Sequence, residues 1–401
     1  MKIKYPKKLY CPIYALIFLL LLLISCTNNN NNENSHKNVA EKQVVTQPDD
    51  INETAEKIIQ GTLKDILQNN KQLNDSFKIT NAVTVQYLYV QNNLQPIWSS
   101  KGRFINGADS LFTLIAAGKN YGLFPEDYSH TKINSLRRQL ILDTSREKRL
   151  DASLWAYEDL LMTSAFIQFV KDLKFGRLQP DSLLIKDSTG SPSFFGTELK
   201  SFQAESIKEF TDQLEPKNPD YQKLKEALRC FLPIANFKPY TLVSSPDSLQ
   251  IPSLVYKRIS EEDTTLAISF EPDSTDIAKA VKKFQKRKHI KADGKITHEL
   301  ISLLNDNDQE RFKRIAINLD RYKQLPPLPS QYIWVNLPGY ILEVKDSDTV
   351  VLKSRIVIGK PDTRTPLITS AISDMITYPQ WHIPESIIKK EILPGLKKDP
   401  G

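Results

Sequence analysis

Tyr340-Ile341-Leu342-Glu343-Val344-Lys345-Asp346-Ser347-Asp348-Thr349-Val350-Val351-Leu352 is the stretch on which the fold class turns. Tyr340, Leu342 and Val344 alternate, Asp346-Ser347-Asp348 is a turn, and Val350, Leu352, Ser354, Ile356 and Ile358 alternate again. A period of two puts one set of side chains on one sheet face, so this text predicts paired strands. The unit that it opens runs from Gln331 to Gly401 and reads as β-rich.

From Thr54 to about Phe237 the period is that of a helix. Ile58, Ile59, Leu63, Ile66 and Leu67 recur at helical spacing, as do Leu111, Leu114, Ile115 and Gly118. Leu154 to Phe175 is apolar on more than one face, which predicts a central, buried helix. Gly176 follows where a C-terminal cap sits, and Pro180 prevents continuation. Pro216 and Pro219 punctuate the entry to a helix over Tyr221 to Phe231. Ser244 to Ser253 reads as a linker, and Glu261-Glu262-Asp263 as a solvated face. Thr275 is a candidate cap for a helix with Ile277, Ala280, Val281 and Phe284 on one stripe. Asp293-Gly294 is a turn, and Thr297 caps a second helix carrying Leu300, Ile301, Leu303 and Leu304. A further helix runs through Ile315, Ile317, Leu319 and Tyr322 to Leu325-Pro326-Pro327. The fold class expected is therefore α+β.

The N-terminus sets the compartment. Lys2, Lys4, Lys7 and Lys8 precede an apolar run from Pro12 to Ile24. That run is shorter than the ~20 apolar residues that span a bilayer, so residues 1–25 read as a signal peptide. Ser25-Cys26 resembles the bacterial lipobox, which implies that Cys26 is lipidated and becomes the mature N-terminus. Residues 26–53, opening with Thr27 and Asn28 to Asn32, are too poor in apolar side chains to fold and read as a disordered tether. The expected location is the cell envelope, lipid-anchored and facing the periplasm. Without the four signal lysines the formal charge of +7 falls to +3, which leaves no nucleic-acid footprint. Of three cysteines, Cys11 leaves with the signal and Cys26 is lipidated, so Cys230 cannot form an internal disulfide.

Several strings, taken in order, carry a resemblance. Leu88-Tyr89, Leu94 and Pro96-Ile97-Trp98 lead to Tyr121-Gly122-Leu123-Phe124-Pro125-Glu126-Asp127-Tyr128. Asp172-Leu173-Lys174-Phe175-Gly176-Arg177-Leu178 and Pro219-Asp220-Tyr221 follow. Together they resemble the scaffold domain of the long, membrane-anchored L,D-transpeptidases of bacterial cell-wall metabolism. Ala280-Val281-Lys282-Lys283-Phe284-Gln285, then Ile290, Asp293-Gly294 and Leu303-Leu304-Asn305, resembles the small helical peptidoglycan-binding domain, although Thr297 follows Ile296 where that family often has Gly. Val335-Asn336-Leu337-Pro338-Gly339-Tyr340, Val357-Ile358-Gly359-Lys360-Pro361, Arg364-Thr365-Pro366 and Lys390-Glu391-Ile392-Leu393-Pro394 resemble the start of an L,D-transpeptidase catalytic domain. The resemblance implies a scaffold over 54–250, a peptidoglycan-binding domain over 270–305, a connecting helix over 306–328 and an incomplete catalytic domain over 331–401.

The same resemblance implies cysteine-dependent acyl transfer from a tetrapeptide stem to an amine, with no cofactor. Its partners would be peptidoglycan stem peptides and glycan, and the membrane through Cys26, with no nucleic acid. That chemistry needs a low-pKa thiolate, a nearby histidine and oxyanion donors, which the family supplies from a Ser-His-Gly-Cys-x-Arg motif. No cysteine follows Cys230 in this chain and no Gly-Cys pair occurs, so no catalytic residue is assigned. Cys230, among Leu228, Phe231 and Leu232, reads as a buried structural cysteine. His382-Ile383-Pro384-Glu385 superficially offers zinc ligands, but no histidine follows His382; His289 and His298 read as surface residues, and no metal site is assigned. Tyr378 and Trp381 are candidates to border the stem-peptide cleft, against a packing role beneath the connection that Pro384 begins. Two readings result. In the favoured one the sequence is the front part of an L,D-transpeptidase lipoprotein, shortened by a frameshift, a gene-model error or an incomplete record. In the alternative it is a catalytically inactive, lipid-anchored peptidoglycan-binding tether.

Overall fold

The computed structural model describes residues 42–69, 79–142, 145–178, 190–244, 248–263, 265–266, 272–347, 349–380 and 382–398. Two units divide it at Pro326–Pro327. The first is helical: α1 (Ile51–Asn69), α2 (Ala82–Gln91), α3 (Asn106–Ala116), α4 (His130–Leu142), α5 (Ala152–Phe175), α6 (Pro192–Ala204), α7 (Ile207–Leu214), α8 (Pro219–Phe231), α9 (Ile251–Glu262), α10 (Ser274–Arg287), α11 (His298–Asn305) and α12 (Asp308–Gln324). The second is a three-stranded antiparallel sheet of β1 (Gln331–Asn336), β2 (Ile341–Asp346) and β3 (Thr349–Arg355), in that order, followed by helical turns from Glu385 to Lys398. The α+β class holds.

Helix α5 is the axis of the first unit. Buried residues lie on all its sides, from Ala152 and Trp155 through Phe166 to Leu173, and α1, α2, α3, α6 and α7 supply their apolar faces to it. Asp151 caps its start by accepting from the Ser153 N–H. Gly176 ends it with φ +85° and ψ 172°, a backbone state almost confined to glycine. Ser206 and Glu209 form a reciprocal capping box on α7, and Asn218 caps α8, whose first helical residue is Pro219.

A second core lies between α9, α10 and α11, built on Val255, Ile259, Val281, Phe284, Leu300 and Leu304. Two expectations change here. The Ser/Pro text at 244–253 is no linker at its end, because α9 begins at Ile251 with Pro252 in its first turn, where a missing N–H costs nothing. The acidic run is engaged rather than merely solvated: Glu262 takes Arg258 (2.6 Å) and Arg287 (2.7 Å), and Asp263 takes Lys283 at 2.7 Å. The cap of α10 is Asp273, which accepts from the Asp276 N–H at 2.7 Å, while the Thr275 hydroxyl donates to Asp273. Thr297 caps α11 as expected. The third apolar cluster joins Tyr221 and Leu228 of α8 to Phe312 and Leu319 of α12.

In the sheet, Ile333 pairs with Val344 and Val335 with Leu342, and Val344 pairs in turn with Leu352. These residues share one face by the period-two rule, and Ile333, Val335 and Leu352 are exposed among the described residues. A register shift at Val344/Lys345 interrupts β2–β3 pairing, and Ser347 turns the chain with φ +54°.

Candidate functional site

Among the polar groups that the fold buries are carboxylates of α5, and two of them, Asp159 and Asp172, hold strings singled out from the sequence. Asp159 accepts from the Ile97 and Trp98 backbone N–H groups at 2.8 and 2.9 Å and from the Tyr89 hydroxyl at 2.7 Å. Thr163, one turn on, accepts from the Trp98 indole N–H at 2.9 Å. The Leu88–Trp98 text is therefore a loop folded around one carboxylate. Burial pushes Asp159 up to about 6, against the pull of these donors. Its neighbour Glu158 is fully buried, and neither carboxylate oxygen has a hydrogen-bond partner among the described residues. Burial, and then the charge of Asp159, holds Glu158 well above the ordinary carboxyl range, which favours its neutral form.

Asp172, near the other end of α5, accepts from the Tyr128 hydroxyl at 2.9 Å and from Gln168 at 2.7 Å. Arg177 approaches it at 3.6 Å and bonds Asp127 at 2.6 Å. Burial raises Asp172 to about 6, with Tyr128, Arg177 and Lys323 opposing. Here α12 enters. Asp320 accepts from the Arg177 N–H at 2.8–2.9 Å and from the Leu178 N–H at 2.8 Å, capping the segment that leaves α5. Lys323, whose side chain is 1% exposed, donates to the Asp172 carbonyl oxygen at 3.1 Å and lies 3.7 Å from Asp320. Burial lowers the Lys323 ammonium, against the attraction of Asp320 and Asp172. Two glycines make the approach of α12 possible. A Cβ on Gly176 would lie 3.0 Å from an Asp320 oxygen, and one on Gly122 would lie 3.0 Å from Leu319 and 3.2 Å from the Ala316 Cα. Glu215, also buried, accepts from the Tyr221 hydroxyl at 2.6 Å and pairs with Lys225, which accounts for the Pro219-Asp220-Tyr221 string.

In the small helical domain the spacing of Gln285 from Asp293-Gly294 has a mechanical cause. The Gln285 side chain accepts from the Gly294 N–H at 2.9 Å and donates to Asp293 at 3.1 Å and to the Lys295 carbonyl at 3.3 Å. The turn is thereby fixed to α10.

The sequence-selected site residues do not converge. Tyr378 is 97% exposed, with φ +52°. Trp381 and Cys26 lie outside the described residues, as do residues 1–25 and Pro180. Cys230 is exposed, which corrects its reading as a buried cysteine: Tyr221, Leu224, Leu228 and Phe231 occupy the packed side of α8, and residue 230 turns away from it. His289, His298 and His382 are exposed. Among the described residues no group of three His, Cys, Asp or Glu side chains is placed to hold a metal, and no helix is long and apolar enough to cross a membrane. What the sequence left unread was the buried polar set, Asp159, Glu215, Asp320 and Lys323. Its one local signal is the charged pair Glu158-Asp159 inside an apolar helix.

Comparison with known proteins agrees with this architecture. Residues 83–228 match the Scaffold domain family, and residues 330–401 match the L,D-transpeptidase catalytic domain family. A curated Haemophilus influenzae protein named "Putative L,D-transpeptidase" is 32% identical over 89 residues, 22% of this chain. The chain spans 18% of that relative's length. The scaffold that matches is the one built around Asp159 and Asp172, and the three strands open the matching catalytic segment; together the two matches and the relative support placing the chain in the L,D-transpeptidase family.

Proposed function

We propose that this chain works in peptidoglycan remodelling from a lipid anchor at Cys26, with its folded part in the periplasm. On this reading the helical scaffold carries a small peptidoglycan-binding domain around 270–305, and β1–β3 open a catalytic domain whose family reaction is acyl transfer through a cysteine thiolate to an amine. The observation that carries the reading is the order of parts: the matched scaffold at 83–228 precedes the matched catalytic strands at 330–401. Residues 331–401 hold no cysteine, so the nucleophile that the reaction needs is not supplied within them. The alternative is a catalytically inactive, lipid-anchored peptidoglycan-binding tether. Tyr378 and Trp381 remain the proposed border of the stem-peptide cleft.

Two measurements on residues 1–401 test the reading. Labelled fatty acid is expected on the wild-type chain and not on Cys26→Ser; label on both, or on neither, removes the anchor. The full chain is expected to co-sediment with purified sacculi and to form no acyl adduct with a tetrapeptide donor by intact mass. An adduct would place an unrecognised nucleophile in the chain, and failure to sediment would remove wall binding.

A further inference from the structure

The small helical domain concentrates charge in one place. Lys282 to Lys295 reads Lys-Lys-Phe-Gln-Lys-Arg-Lys-His-Ile-Lys-Ala-Asp-Gly-Lys, seven cations against the single anion Asp293. Two of the seven are engaged internally, Lys283 with Asp263 and Arg287 with Glu262, each at 2.7 Å. Lys288 lies over the Phe284 ring at 5.6 Å, and Lys291 reaches Asp293 only at 3.9 Å. Among the described residues Lys282, Lys286 and Lys295 make no ion pair, and all three are exposed.

These lysines form one surface. Lys282 and Lys286 are four residues apart on α10 and share a face. The methylenes of Lys282 run past the turn, since a Cβ on Gly294 would meet its Cε at 3.1 Å. Lys291 and Lys295 flank that turn, and Gln285 fixes the turn to α10. The domain's nearby carboxylates are already committed: Glu262 to two arginines, Asp263 to Lys283 and Asp273 to the cap of α10. Four like charges held around the single carboxylate of Asp293 leave a net positive potential that recruits anions.

The surroundings select the kind of anion. Phe284 is 1% exposed and lies in the core, so the face offers no aromatic platform on which bases stack. Ile290 packs into the core of the domain, so no apolar side chain stands ready to enter a bilayer. Lysines are point charges on flexible stems, which suits anions spaced along a mobile chain and needs no fixed bidentate geometry. We propose that the face formed by Lys282, Lys286, Lys291 and Lys295 binds a polymer of spaced carboxylates, as the stem peptides of peptidoglycan present. This rests on the wall-binding reading above and adds charge recognition to it.

The test is co-sedimentation of the full chain in detergent with native sacculi and with sacculi whose carboxylates have been amidated. Lys282→Gln, Lys286→Gln, Lys291→Gln and Lys295→Gln are combined in one variant, checked by circular dichroism. A control removes the same number of exposed lysines elsewhere, at Lys64, Lys200, Lys223 and Lys257. Four exposed contacts worth about twofold each predict binding at least about tenfold weaker for the patch variant. The control variant should bind like wild type, amidated sacculi should bind as weakly as the patch variant, and raising the salt should weaken wild-type binding. Equal binding of the patch variant, or of amidated sacculi, overturns the proposal while leaving wall binding intact. Tighter binding to duplex DNA than to native sacculi also overturns it, as does binding of the Cys26→Ser chain to phosphatidylglycerol vesicles more tightly than to native sacculi. Wild-type failure to bind either form of sacculus removes the wall-binding reading itself, and this proposal with it.

Discussion

Replacing Gly176 with Ala strikes the contact between α5 and α12 twice. The residue sits at φ +85°, ψ 172°, where a side chain costs about 1–3 kcal/mol. The new Cβ also falls 3.0–3.2 Å from three atoms of the Asp320 carboxylate, pushing away the acceptor of the Arg177 and Leu178 N–H groups. A weakened charge-assisted bond adds about 1–2 kcal/mol, for a total of about 3 kcal/mol. Asp320→Ala removes the carboxylate outright. It leaves two backbone donors unmatched and Lys323 buried without its nearest counter-charge, for a loss of about 3–5 kcal/mol. The double variant is the decisive case. With the carboxylate gone, only the backbone part of the Gly176 penalty remains, so the pair should cost about 1–2 kcal/mol less than the sum of the singles. Urea unfolding of the four proteins, followed by circular dichroism, measures this. Additivity within about 0.5 kcal/mol would refute the claim that Gly176 is glycine because of Asp320.

Two further outcomes follow from the buried carboxylates. Asp159 and Asp172 have folded-state values of about 6 against an ordinary 3.8, so the folded chain holds these protons more tightly than the unfolded one. Stability should therefore rise as pH falls from about 7 towards 4, by up to about 3 kcal/mol for each group, and Asp159→Asn should remove its share of that slope while costing about 2 kcal/mol at pH 7 through its lost acceptor; thermal melts between pH 4.5 and 7.5 read both, and a flat or opposite slope argues against the assignment. Because burial favours the neutral form of Glu158, Glu158→Gln should change stability by less than about 0.5 kcal/mol at pH 7; a loss above about 2 kcal/mol would mean that Glu158 is ionised and paired.

The parts legible from sequence were those whose causes are local. The apolar faces of Leu154–Phe175 announced α5, and Tyr340 to Leu352 announced β2 and β3 through their period and turn. Helix α9 was hidden because Ser and Pro dominate the text before it, and a proline in a first helical turn looks like a linker signal until the stripe of Val255, Tyr256 and Ile259 is counted. The exposure of Cys230 was missed because its chain neighbours are apolar, whereas the angle around α8 decides burial. The α5–α12 contact could not be read at all: Arg177 and Asp320 are 143 residues apart, and no local periodicity encodes a partner at that distance. The strings that resembled the scaffold domain were, in the fold, the segments held by Asp159, Asp172, Glu215 and Asp320. Their resemblance was visible before their cause.

The return of α12 to α5 also has a consequence for synthesis. Helices α9 to α11 lie between α8 and α12 in the chain, so the small helical core is an insertion within the scaffold's own sequence. At roughly 5–20 residues per second, the 143 residues from Arg177 to Asp320 take roughly 7–30 s to be made. Until α12 arrives the backbone donors at the end of α5 stand open to water, and so does the apolar side of α8 that faces Phe312 once that helix has been made. The inserted helices, whose contacts are local, can fold in that time and shorten the loop that α12 must close. The scaffold is thus begun early and finished late, and the unfinished interval is when a protease or a chaperone would meet it.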